Sequence, residues 1–196
     1  MTESDPKEHL HRYLKSGRDA LLWKLDGLSE YDARRPMTPT ATNLLGLVKH
    51  VGSVAVGYFG ETFDRPFDES MPWFDDDAPP NADMFATADE SREQIIGFYR
   101  RAWEHADATI DALGLDDIGH VPWWPEPHNE VTLHRVLVHM IAEVDRHAGH
   151  ADIVRELIDG AAGVRKDSDN LGITDAEGKA AYHDTVERAA RDASAS

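Results

Sequence analysis

Apolar residues recur at helical spacing in four long stretches of the chain. The first opens on Asp5-Pro6, an N-cap followed by proline at the first helical position. It continues through Leu10, Tyr13, Leu14, Leu21, Leu25 and Leu28, which predicts a helix from about Pro6 to Leu28. Residues Ser29 to Asn43 contain Pro36 and Pro39 and read as a connector. Asn43 then caps a second helix whose apolar face is Leu44, Leu47, Val51, Val54, Ala55 and Tyr58. Gly46, Gly52, Gly57 and Gly60 weaken that helix. Close approach by a neighbouring helix explains them; for Gly57 and Gly60 a turn at the helix end explains them equally well.

Glu61 to Ala86 is rich in Pro, Asp and aromatic residues and is too long for a simple connector. Loops of that length are often functional or carry a short helix. Thr87-Ala88-Asp89-Glu90 fits a capping box. A third helix follows, with Ile95, Phe98, Tyr99, Ala102, Trp103, Ala106, Ile110 and Leu113 as its buried stripe, and Gly114 ends it. In the next loop Pro122, Pro125 and Pro127 exclude both helix and central strand. Thr132 caps a fourth helix that runs to about Asp159, where Gly160 supplies the stop. Residues 161–196 read as a polar loop and then a helix near Asp175 to Arg191. Repeats are absent and no segment alternates with a convincing period of two. The expectation is one all-α domain over 1–196, a four-helix bundle with long crossover loops and a short C-terminal helix, its core about 6–160.

Composition narrows the function more than the fold. Hydrophobic residues make up 41% and charged residues 29%, the balance of a globular protein. Asp and Glu number 37 against 20 Lys and Arg, a net charge of -17. That surface lacks the basic patch that nucleic acid or an anionic membrane requires. The N-terminal residues have no positive n-region and no apolar h-region, and no stretch is long enough to span a bilayer, so the expected location is the cytoplasm. Cysteine is absent, which removes disulfides, thiolate metal ligands and a cysteine nucleophile.

The 11 histidines are the chemical lead. With His139 set at zero on the fourth helix, Glu143 falls at about 40°, His147 at about 80° and His150 at about 20°. The apolar arc of Val136, Met140, Val144, Ala151, Val154 and Ile158 covers about 60° to 140° on the same wheel. Glu143 and His147 therefore stand at the edge of the face that enters the bundle. Buried carboxylate and imidazole need partners, and one metal ion serves both. His50, at the edge of the second helix's apolar arc, is the candidate third ligand. Three protein ligands with an open position form the usual catalytic zinc pattern, and Ni, Fe or Mn accept the same donors. Spacing leaves an alternative open, in which Glu143 pairs with Arg146 or His147 on a solvated face.

The segments Asp145-Arg146-His147-Ala148-Gly149-His150 through Arg155 to Gly160, and Leu44-Leu45-Gly46-Leu47-Val48-Lys49-His50, carry a resemblance. They resemble the DinB-like (YfiT-like) metalloprotein superfamily, and most of all its actinobacterial branch of mycothiol-dependent enzymes. The resemblance extends from the first helix to past Gly160. It implies a four-helix bundle whose metal is held by His50 from the second helix and by Glu143 and His147 from the fourth. Many members use three histidines. Glu143 departs from that form, matching the mycothiol-dependent maleylpyruvate isomerase relatives, and leaves the metal's identity open.

His150 falls where many relatives carry Gln just past the last ligand. It is the candidate to orient a ligand, reach substrate or act as acid–base group, and it reads equally well as a solvent-facing residue. His139 reads as a structural residue or a support to the ligands. Trp73, Phe74, Trp123 and Trp124 cover the site, bind substrate or pack the bundle end, with Trp123 and Trp124 the candidate substrate-binding residues. His120, His128, His134 and His183 read as surface residues.

The resemblance implies a detoxifying thiol S-transferase that adds mycothiol to an electrophilic small molecule, acting as monomer or homodimer. A cysteine-free chain must take its sulfur from outside, and a divalent metal lowers a thiol's pKa. Two further readings share the same residues: a hydrolase with metal-activated water, and a non-catalytic stress protein that binds metal or a small molecule.

Overall fold

The computed structural model describes residues 5–168, 172–173 and 175–195. Its first helix, α1 (Pro6–Trp23), begins where Asp5 accepts a hydrogen bond from the Lys7 backbone N–H. It ends five residues short of Leu28. Lys24 donates its backbone N–H to Leu21, and Gly27 takes a φ of 73°, so the chain turns while Leu25 still reaches the core. The connector holds one short helix, α2 (Glu30–Arg34), capped by Ser29.

Helix α3 (Leu44–Phe59), capped by Asn43, is buried on nearly every face and is the central element of the bundle. It packs on α4 (Arg92–Ala112) and on α5 (Leu133–Asp159), and α1 packs on α5. Leu14, Leu21, Leu47, Val51, Phe59, Ile110, Leu137 and Met140 meet between them. At Gly46 a Cβ would overlap the Met84 carbonyl, so the loop before α4 lies directly on the α3 backbone. The close approach at this glycine comes from a loop, not from a helix.

Helix α4 starts later than its expected cap. Glu90 does accept from the Thr87 backbone N–H at 2.7 Å, but its other oxygen pairs with Lys49 at 2.7 Å. The capping box forms instead between Ser91 and Gln94. The long loop between α3 and α4 carries three short 3-10 turns, Glu61–Phe63, Pro72–Phe74 and Ala82–Met84.

The expectation of no strand is corrected by a small antiparallel pair, β1 (Ile118–His120) and β2 (Glu130–Thr132). Three residues per strand are too few to show alternation in sequence. The pair closes the loop that carries Trp123 and Trp124. Helix α5 opens at Thr132 and stops at Gly160, whose φ is 79°. The C-terminal helix, α6 (Ala176–Ser194), has no buried residue. Part of the expected polar loop before it, residues 169–171 and 174, lies outside the described residues. No helix among the described residues is long and apolar enough to cross a membrane.

Two glycine substitutions should act in opposite directions. Gly46→Ala gains helix propensity but forces the Met84 carbonyl away, and should destabilise by about 1–3 kcal/mol. Gly149→Ala, on α5 with nothing within 4 Å of the added Cβ, should stabilise by roughly 0.5–1 kcal/mol. Urea unfolding of both variants checks the pair.

Candidate metal centre

His50 reaches the centre from α3, and Glu143 and His147 reach it from α5. One ligand atom from each lies within 4.8 Å of the others. Glu143 Oε1 stands 3.0 Å from His147 Nε2 and 3.4 Å from His50 Nε2. The two imidazoles meet edge to face, with centroids 4.8 Å apart. Glu143 does pair with His147, but the pair is half-buried rather than on a solvated face, and Glu143 also reaches His50 on the neighbouring helix. Two imidazole nitrogens and one carboxylate oxygen facing a common point are a donor set that fits a divalent zinc-like ion.

The electrostatics bind the group together. Hydrogen bonds from His147 and His50 hold the Glu143 carboxyl far below the usual carboxylate range, against its own burial. Burial works against a charge on His50, but hydrogen bonds to Asp83 and Glu143 outweigh it and raise its pKa to about 9. His147 differs from His50 behind the centre: its Nδ1 is buried without a hydrogen-bond partner among the described residues.

Sequence reasoning missed Asp83, which lies 2.6 Å from His50 Nδ1 on the Ala82–Met84 turn. A carboxylate behind a ligating histidine fixes the ring and its tautomer. Lys49 was missed as well. Helical periodicity sends a lysine outward, yet Lys49 is 2% exposed. Its ammonium donates to the carbonyls of Ala82 at 2.9 Å and Phe85 at 3.1 Å, and it lies over the Trp73 ring. Neighbouring residues of α3 thus grip one turn, Lys49 by its backbone and His50 by its carboxylate. The only sequence signal for either was a loop too long and too acidic to be a connector.

A cavity of about 700 Å³ opens beside the centre, lined by His50 and Glu143 among others. Trp123 and Phe74 line it, both about half exposed. Trp124 does not line it; its indole donates to the Tyr58 hydroxyl at 3.2 Å and holds that ring in the wall. Trp73 packs on Phe98 and donates to Ser53 Oγ, which makes it part of the bundle end. His139 lines the cavity one turn before Glu143, its ring 4.7 Å from Tyr58. Burial lowers its pKa and keeps the imidazole neutral. His150 is exposed, outside the cavity, with its ring 5.4 Å from His147. His120, His128, His134 and His183 are exposed, as expected.

Stability without metal should follow the His50 charge. The folded-state pKa lies above the ordinary value of 6.5, so the stabilisation is complete below 6.5 and is lost as pH rises through about 9. Urea unfolding of chelated protein across that window should show the loss, and Asp83→Asn should flatten it. The same variant should weaken zinc binding by about 10–100-fold, read by competition with a chelating dye.

Two searches, one of curated proteins and one of solved structures, found no match to this chain. A family model does match: that of mycothiol-S-transferase, over residues 9–160. The matched span runs from the first helix to the end of α5 and includes the three converging donors and the cavity wall. The chain belongs to the mycothiol-S-transferase family.

Proposed function

We propose that this protein joins mycothiol to a small electrophile in the cavity beside a divalent metal held by His50, Glu143 and His147. The observation that carries the reading is the position of the donors. They converge at the side of a cavity large enough for a small molecule, in a chain with no cysteine of its own. When bound there, a divalent ion supplies a Lewis acid that favours thiolate over thiol at neutral pH.

The chain's own residues do the rest. Asp83 accepts the Nδ1 proton of His50, which leaves the Nε2 lone pair aimed at the centre. The apolar wall, with Val54, Phe74 and Trp123, gives a small apolar molecule a surface to pack on beside the donors. His139 is the group placed to accept the thiol proton. It lines the cavity, is held neutral, and its ring nitrogens have no hydrogen-bond partner among the described residues. His150 stands behind His147 and serves to position that ring. In the step itself the S–H proton passes to a ring nitrogen of His139, and the sulfur electron pair forms the C–S bond. The leaving group departs with its own pair.

The test is a conjugation assay with metal-loaded protein, mycothiol and a chlorobimane. Fluorescent conjugate should form only when thiol is present. His50→Ala and His147→Ala should lose the bound metal and at least about 100-fold in rate. Wild-type metal content in those variants, or product without thiol, would overturn the reading. His139→Gln should keep its metal and lose about 100-fold in kcat, with the acidic limb of the pH–rate profile altered.

A further inference from the structure

The cavity has a charge pattern that conjugation alone does not require. Its wall includes the rings of Tyr58, Phe74 and Trp123 and the side chains of Val54 and Met71. Besides the Tyr58 phenol, its ionisable side chains are carboxylates and imidazoles; no Lys or Arg lines it among the described residues. Two cations close to the wall are committed elsewhere. Lys49, next to His50 on α3, is buried against Glu90 and the carbonyls of Ala82 and Phe85. Arg135 lies over the Trp124 ring and donates to the carbonyls of His128 and Glu130.

The carboxylates divide in the same way. Asp83 and Glu143 are engaged by His50 and His147. Glu61, on the 3-10 turn that follows α3, lines the cavity with an exposed carboxylate that makes no hydrogen bond or ion pair among the described residues. Aromatic faces attract organic cations, and a free carboxylate beside them adds a Coulomb attraction. Away from the metal, a carboxylate- or phosphate-bearing molecule finds no guanidinium or ammonium among the described residues of the wall to receive its charge.

We infer that the cavity selects apolar electrophiles that carry a positive charge away from the reacting carbon, with Glu61 receiving that charge. It discriminates against anionic electrophiles. This assignment of substrate class rests on the conjugation reading above. Glu61 is a specificity residue, set at the cavity and apart from the metal ligands.

The test uses three chloromethyl arenes of matched size that bear a trimethylammonium, a neutral tert-butyl or a carboxylate group. Each reacts with mycothiol by forming C–S as C–Cl breaks, releasing chloride and a proton, and each rate is divided by its uncatalysed rate. For metal-loaded protein, kcat/KM should fall from cation to neutral to anion. Glu61→Gln should lower the cation-to-anion ratio by roughly tenfold, the effect of one unit charge at short range in partly screened surroundings. In parallel, binding of the unreactive methyl arenes is followed by tryptophan fluorescence, with and without metal. Equal turnover of the three chlorides, or a ratio unmoved by Glu61→Gln, overturns the charge selection and leaves the conjugation reading standing. Charge-selective, Glu61-dependent binding without thiol-dependent turnover of any of the three supports the cavity's selectivity and sinks the conjugation reading.

Discussion

A single carboxylate oxygen, Glu143 Oε1, is shared by two imidazoles that arrive on different helices. This contact fixes the register of α3 against α5, because both rings must reach the same atom. Removing one partner from a buried charged pair typically costs about 3–5 kcal/mol, more than the pair contributes when intact. The helices must therefore pack well. They do so through Leu47, Val51, Leu137, Met140 and Val144, which stay fully buried alongside the polar group. The apolar seam supplies the stability, and the polar triad spends part of it on a defined geometry.

That geometry extends outward through the loop before α4. Lys49 is among the most buried cations of the fold, and its carbonyl contacts bracket the turn that presents Asp83. Arg34 adds hydrogen bonds to the carbonyls of Thr87 and Glu90 further along the same loop. A segment that looks irregular in sequence is thus tied down at several backbone oxygens.

Most of the frame was legible in the residues because it is written in local chemistry. Asn43, Thr132 and Gly160 cap helices through contacts within a turn, and each acts where its type implies. The stripe of Glu143 and His147 is equally local. His50 came within reach because it too stands at the edge of an apolar face. What could not be read are features made by chain paths. Asp83 meets His50 across 33 residues of sequence, with no periodicity to announce it. Lys49 reverses the rule that lysine faces water, because a loop covers it. Leu25 and Leu28 continue the apolar pattern past the end of α1, since a hydrophobic residue after a turn buries as readily as one inside a helix. The mini-sheet escaped because its strands are shorter than the period needed to recognise them.

The absence of cysteine has a meaning for durability. An enzyme that gathers alkylating molecules in a cavity exposes itself to them at every turnover, and a protein thiolate would be the first casualty. This chain offers no such sulfur at any position. Its softest group in the cavity wall is the thioether of Met71, a far weaker nucleophile. On the proposed reading the incoming thiol faces no rival of its own kind, and an electrophile that enters leaves on a dispensable sulfur instead of remaining on the enzyme.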